Sequence, residues 1–174
     1  MVVEEWGAGG EVERDLTMLA EVLHATVHAG ASVSFVLPFS KEESLAFWSE
    51  KVLTGVRGGS RRVLVAREGG EIIGTVQLGL DTVPNQRHRA EVTKLLVHPK
   101  ARRRGIARAL MTALEAVALE EGRMLLTLDT QEASVAERLY LSMGYVLVGV
   151  IPRYARKALV EEMEGASFLY KELA

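Results

Sequence analysis

Four basic residues in five, Lys100-Ala101-Arg102-Arg103-Arg104, close on Gly105 where an apolar stretch meets a helix-periodic one. Ala90 to Val97 reads as a strand. From Ile106 to Glu120 the apolar positions 106, 107, 110, 111, 114, 117 and 118 share one broad helical face, and Gly122 is placed to end it. A helix start carries free N–H groups with the helix dipole behind them, a combination that favours an anion. Gly105 keeps a Cβ out of the way of a ligand, Ala107 keeps the first turn slim, and the arginines can add bidentate contacts to phosphate oxygens. A basic run alone also fits a solvated turn or a nucleic-acid patch. Its position between strand and helix favours the anion site. The chain has no GxxxxGK[ST] and no GxGxxG after a strand, so neither a P-loop nor a dinucleotide fold is expected.

The rest of the chain limits the partners. Its 174 residues fit one domain, 1–174, with a globular balance of 48% hydrophobic and 25% charged residues. A formal net charge of -2 does not favour nucleic acid as the main partner. The absence of cysteine excludes disulfides, thiolate metal sites and a Cys nucleophile, and the histidines and acids form no metal-site pattern. Met1 to Gly10 holds acidic residues and glycines where a signal peptide needs a basic start and an apolar core. No membrane span is visible. A soluble, cytoplasmic protein is the expectation, as a monomer or a homodimer.

Periodicity predicts the remaining elements. Val12, Leu16, Leu19, Leu23 and Val27 mark a helix over 11–29. Ser40-Lys41-Glu42-Glu43 is a capping box opening a second helix with Leu45, Trp48 and Val52 as its apolar stripe. Arg62 to Glu68 and Glu71 to Leu80 form a hairpin across Gly69-Gly70. Met124 to Thr130 is a short buried strand. Ser134 to Glu137 is another capping box, opening a helix that stops at Gly144, and Tyr145 to Val150 and Ser167 to Leu173 are closing strands. The expected order is two helices, three antiparallel strands, helix, strand, helix, two strands. This is an α/β (α+β mixed) domain whose central sheet is mostly antiparallel and flanked by about four helices. A right-handed crossover makes strand 124–130 parallel to strand 90–97.

Two motifs resemble a known family. Arg102-x-x-Gly105-x-Ala107 matches the [QR]-x-x-G-x-[GA] loop of the GNAT superfamily of N-acetyltransferases, and Leu95-Leu96-Val97-His98-Pro99 resembles the strand before it. Ala136-x-x-Leu139-Tyr140-x-x-x-Gly144-Tyr145 is similar to the family's later helix. A closer likeness, to the tabtoxin-resistance acetyltransferases, runs through Thr26 to Val33, Arg89 to Leu95 and Leu128 to Glu137. The resemblance implies the acyl-CoA N-acyltransferase fold, with the parallel pair splayed apart, and acetyl-CoA as cosubstrate without a metal. It places the cofactor on Leu95, Leu96, Val97, Arg102, Arg103, Arg104, Gly105, Ile106, Ala107 and Arg108. The backbone of Leu96 and Val97 would serve the pantetheine arm and the oxyanion.

It also implies direct attack of an amine on the thioester. Tyr140 is the candidate acid for the departing thiolate, although the same residue suits a core aromatic. Glu91 and Asp129 are candidate bases, as carboxylates in apolar strands where an unpaired charge is costly. Either also fits a structural pair, Glu91 with Arg89 or Asp129 with a turn N–H. His98 suits a turn, and His28 either a helix end or a substrate contact. Ala133 stands where many relatives carry Asn. The acceptor implied is the primary amine of a small molecule, such as an amino-acid-like toxin. A protein N-terminus or lysine, and a non-catalytic acyl-CoA sensor, are the competing readings. Phe35, Pro38, Phe39, Phe47 and Trp48 would roof a small-molecule pocket or belong to the core.

Overall fold

The computed structural model describes residues 1–7, 9 and 11–173. Its strands are β1 (Val2–Glu5), β2 (Arg61–Glu68), β3 (Glu71–Gly79), β4 (Arg89–Val97), β5 (Leu125–Gln131), β6 (Val146–Arg156) and β7 (Met163–Glu172). They form one seven-stranded sheet in the order β1-β2-β3-β4-β5-β7-β6. Only β4 and β5 run parallel. The helices are α1 (Val12–His28), α2 (Lys41–Ala46), α3 (Leu53–Arg57), α4 (Ile106–Glu120) and α5 (Val135–Ser142). A π-helical turn, Phe47–Val52, joins α2 to α3 in one continuous rod.

Each face of the sheet carries its own core. Alternation along β2 and β3 sends Leu64, Ala66, Val76 and Leu78 towards α4, with Leu110, Met111 and Leu114 packed against them. Val63, Val65 and Ile72 point the other way, onto Leu19, Leu23 and Val27 of α1 and onto Trp48 of the π turn. Gly74 on β3 decides how closely α4 lies. A Cβ there would stand 3.0 Å from Leu96 O, 3.1 Å from Ile106 Cγ2 and 3.2 Å from Leu110 Cδ1. A strand glycine of this sort marks close approach of another element. Here it seats the first turn of α4 beside the end of β4.

The expected elements are present, with three differences. The N-terminal segment contains β1, and its acidic residues answer arginines across the sheet: Glu4 pairs with Arg67 at 2.5 Å and Glu5 with Arg62 at 3.0 Å. Four residues are too few for periodicity to reveal, so the strand is set by its partners on β2. β6 and β7 are longer than the apolar runs indicate. β6 passes Pro152 and a left-handed Arg153 through a register shift, which an edge strand tolerates. The box at Ser40 is complete, whereas that at Ser134 is half formed. Ser134 Oγ accepts from Glu137 N, but Glu137 turns its carboxylate to Ala133 N and Ser167 Oγ.

Candidate active site

β4 and β5 pair over only three positions, Arg89↔Leu125, Ala90↔Leu126 and Glu91↔Thr127, and then part. A bulge in β4 coincides with the parting. Gln77 faces Thr93 and Thr75 faces Leu96, so β4 uses one residue more than β3, and Lys94 in the bulge takes a left-handed φ of 53°. His98 N bonds back to Ile73 O. Bonding alternates along an antiparallel pair, so Leu96 belongs to the β3 ladder opposite Thr75, and Val97 turns its N–H and C=O to the gap. Of the two backbones expected to serve a cofactor, Val97 opens to the gap and Leu96 is held by β3. The Leu96 side chain is buried and that of Leu95 half-buried.

The basic loop folds as one 3-10 turn, Pro99–Ala101, and a tight entry into α4. His98 caps that turn, accepting from Lys100 N at 3.3 Å, which settles it as a turn residue. Arg103 and Gly105 both take left-handed φ, 62° and 77°, on either side of Arg104. Successive turns of this kind aim backbone N–H groups at one point and make an anion-binding concavity. Gly105 is the N-cap of α4 and supplies no side-chain oxygen, so the first-turn N–H groups keep their donors for a ligand. No protein atom lies within 4 Å of a Cβ at Gly105, so on the protein's side glycine is required by its φ. The arginines divide. Arg104 pairs with Glu68 at 2.6 Å and Arg108 donates to Ser142 Oγ at 2.6 Å, whereas Arg102 and Arg103 extend into solvent. Ile106 is core and Ala107 half-buried.

Tyr140 lies on α5, in the core on the α4 side of the sheet. It is 5% exposed, and its ring packs on Tyr145 with centroids 5.5 Å apart. Burial, and then the charge of Asp129, push its phenol well above the usual tyrosine range. It is therefore a neutral hydrogen-bond donor across the working pH range. Glu91 and Asp129 are both exposed, so the expected penalty for carboxylates inside apolar strands does not arise. They stand on one face: Glu91 is in register with Thr127, and Asp129 follows two residues along β5. Neither forms the structural pair considered above. Arg89 bonds to Gln86 and Thr127, and Asp129 accepts no turn N–H among the described residues.

The same face carries groups that the sequence left unremarked. Arg61, Gly79, Glu91 and Thr127 form one cross-sheet row. Lys94 Nζ donates to Ser34 Oγ at 3.0 Å and lies 5.9 Å from the Phe35 ring centre and 5.8 Å from that of Phe47. Burial first, and then Lys51 and Arg61, lower its ammonium to about 8, while Asp129 and Glu91 act in the opposite sense. The aromatic group therefore splits. Trp48 and Phe39 are core, Phe35 and Phe47 flank Lys94, and Pro38 is exposed. The π turn presents Phe47, and Leu53 N reaches back to Trp48 O to form it. Such turns inside helices often occur at functional sites. His28 bonds Phe39 O at 2.9 Å and stacks on His24, anchoring the 29–40 loop from behind. That loop is tied to the β6–β7 connection by Leu37 N to Ala158 O, 2.9 Å.

Comparison with known proteins agrees with this arrangement. The acetyltransferase (GNAT) family matches residues 27–145. An N-acetyltransferase of Azospirillum brasilense, from the hisH–hisA intergenic region, is 35% identical over 121 residues, covering 68% of this chain and 69% of its own. Among solved structures, an N-acetyltransferase from Staphylococcus aureus superposes with a TM-score of 0.81 at 19% identity over the whole of both chains. A ribosomal-protein-alanine N-acetyltransferase from Brucella melitensis gives 0.78 at 21%, over 99% of this chain and 100% of its own. A protein from Salmonella typhimurium solved with acetyl-CoA gives 0.76 at 20%, over 100% and 95%. At these identities the three structures establish the fold. The chain belongs to the GNAT family and is an acetyl-CoA-dependent acyltransferase.

Proposed function

We propose that this domain moves the acetyl group of acetyl-CoA to the primary amine of a small molecule, by direct attack in the gap between β4 and β5. The observation that carries the reading is the parting of these strands at the Lys94 bulge. It turns the Val97 backbone to the gap, beside the sheet face that carries Glu91 and Asp129, and Asp129 lies near enough to Tyr140 for its charge to act on the phenol. The pyrophosphate lies on the first-turn N–H groups of α4, from Ile106 to Arg108, under the left-handed pair Arg103 and Gly105. Arg102 and Arg103 close on it from solvent. Arg104 holds the loop to Glu68.

In the reaction the amine nitrogen forms the new C–N bond to the thioester carbon. Val97 N–H meets the oxygen that becomes negative, a fixed donor that needs no reorganisation. Glu91 or Asp129 takes the proton of the incoming ammonium, directly or through a water. The C–S bond then breaks as Tyr140 passes its proton to the departing sulfur, and the second proton of the nitrogen returns to Tyr140 through a water, leaving the amide and the CoA thiol. No step requires a metal or a covalent enzyme intermediate. A small acceptor is favoured because the 29–40 loop, which brings Ser34 and Phe35 to Lys94, is fixed by the bonds of Leu37 N to Ala158 O and of His28 to Phe39 O. The sequence likeness to the tabtoxin-resistance enzymes, which acetylate an amino-acid toxin, points the same way.

A thiol-release assay with acetyl-CoA and a panel of small amines, run beside a panel of N-terminal and lysine peptides, tests this. Small amines should raise CoA release well above hydrolysis. Release driven by peptides alone would move the acceptor to proteins, and release driven by neither would favour a sensor.

A further inference from the structure

We propose that Lys94 and Arg61 form an anion subsite on the acceptor side, so that the amine acetylated here also carries a carboxylate. This inference rests on the acetyltransferase reading and adds the chemical class of the acceptor.

The cations of β2 differ in their partners. Arg62 bonds Glu5 and Glu121, and Arg67 bonds Glu4 and Asp15. Arg61, on the face opposite Arg62 and at the far end of β2 from Arg67, reaches only the neutral amide of Gln77. Lys94 reaches only the Ser34 hydroxyl. Among the described residues neither cation has a carboxylate within 4.0 Å, although both are half-buried. Partly desolvated cations without a counter-charge are costly, and a ligand anion would offset that cost.

A second observation lies beneath them. Gln77 is fully buried, and its Oε1 accepts from Arg61, which fixes the amide orientation. Its Nε2 therefore sits beside the guanidinium as a donor without a partner. The Thr93 hydroxyl, in register with Gln77, is also buried and unpartnered. Gly79, between Arg61 and Glu91 in the cross-sheet row, has no side chain to fill the floor.

Opposite signs face each other across this floor. Arg61 and Lys94, with Lys51 behind, are the positive side, and Glu91 and Asp129 the negative. An amino acid matches that polarity, its carboxylate on Lys94 and Arg61 and its amine towards Glu91 and Asp129. Phe35 and Phe47 would then set which side chain fits.

The test measures acetylation of the twenty common L-amino acids, each against its own carboxamide. Calorimetric binding of the same compounds to CoA-saturated protein runs beside it. At least one free acid should exceed its carboxamide in kcat/KM by about tenfold or more, the usual scale for a charge-assisted hydrogen bond. Lys94→Met and Arg61→Gln should erase that preference by raising the acid's KM about tenfold, with KM for acetyl-CoA unchanged. Lys94→Arg should restore most of it. Melting curves of each variant establish that it folds. Equal use of acid and carboxamide, loss of kcat without a change in KM, or no acid binding at all would overturn the subsite. Acids that bind through Lys94 without CoA release would keep the subsite and remove the transferase reading.

Discussion

The two sides of the β4–β5 gap are built in opposite ways. The proposed cofactor side is one stretch of chain, residues 97 to 108, and its chemistry is mostly backbone: left-handed turns at Arg103 and Gly105 and the open first turn of α4. The proposed acceptor side is assembled from side chains on separate segments: Ser34 and Phe35 from a loop, Phe47 from the π turn, Arg61, Glu91, Lys94 and Asp129 from three strands. A backbone site loses only part of its affinity when its side chains change and most of it when its conformation changes. A side-chain site can be retuned one residue at a time while the sheet stays as it is. A fold that keeps its donor and varies its acceptor benefits from that division.

Variants can test how separate the sides are. Tyr140 is the proposed acid and belongs to neither side, so Tyr140→Phe should lower kcat about a hundredfold or more while moving neither KM by much. A large rise in one KM instead would make Tyr140 a binding residue of that side. Next in size is Gly74→Val, which forces α4 away from β3. It should cost roughly 1–3 kcal/mol of stability by overpacking, read by chemical denaturation, and raise KM for acetyl-CoA more than KM for the amine.

The separation was only half legible in the sequence. Strand, loop and helix around Gly105 are contiguous, so their order could be read directly, and Tyr140 followed from the likeness of Ala136 to Tyr145 to the family's later helix. The parallel pair followed from the crossover between them. Lys94 escaped notice because a lysine in a strand looks like a solvated residue. Its role depends on a bulge that only the register with Thr75 and Gln77 reveals. Arg61 is adjacent to Arg62 and identical in type, yet alternation sends it to the other face, where among the described residues no acid comes within ion-pair distance of it. The burial expected of Glu91 and Asp129 failed because alternation sends their apolar neighbours Ala90, Val92, Leu126 and Leu128 into the α4-side core and the two carboxylates to the other face. Ala133 holds a φ of 56°, a conformation that Asn adopts more readily, so the Asn of relatives suits the backbone there as well.

Smaller effects sharpen the comparison. Arg102→Ala and Arg103→Ala should each raise KM for acetyl-CoA several-fold, about 1 kcal/mol each, and the effect should shrink in high salt because both are exposed. Lys94→Met should be the gentlest on the fold and should raise Tm near neutral pH. The Lys94 ammonium titrates near 8 in the folded chain, below its ordinary value of 10.5. Its penalty is therefore full below pH 8 and fades as pH rises towards 10.5, where the unfolded lysine also loses its proton. The Tm gain of the variant should fade over that window. A gain that does not change with pH would mean that Lys94 is not held there as a disfavoured cation.

The most direct measurement is initial-rate kinetics with both substrates varied, in Arg102→Ala/Arg103→Ala and in Lys94→Met/Arg61→Gln. The first pair should raise KM for acetyl-CoA alone, and the second KM for the amine alone. Loop variants that leave KM for acetyl-CoA unchanged would contradict the placement of the cofactor on residues 97 to 108, and with it the division of the gap into two sides.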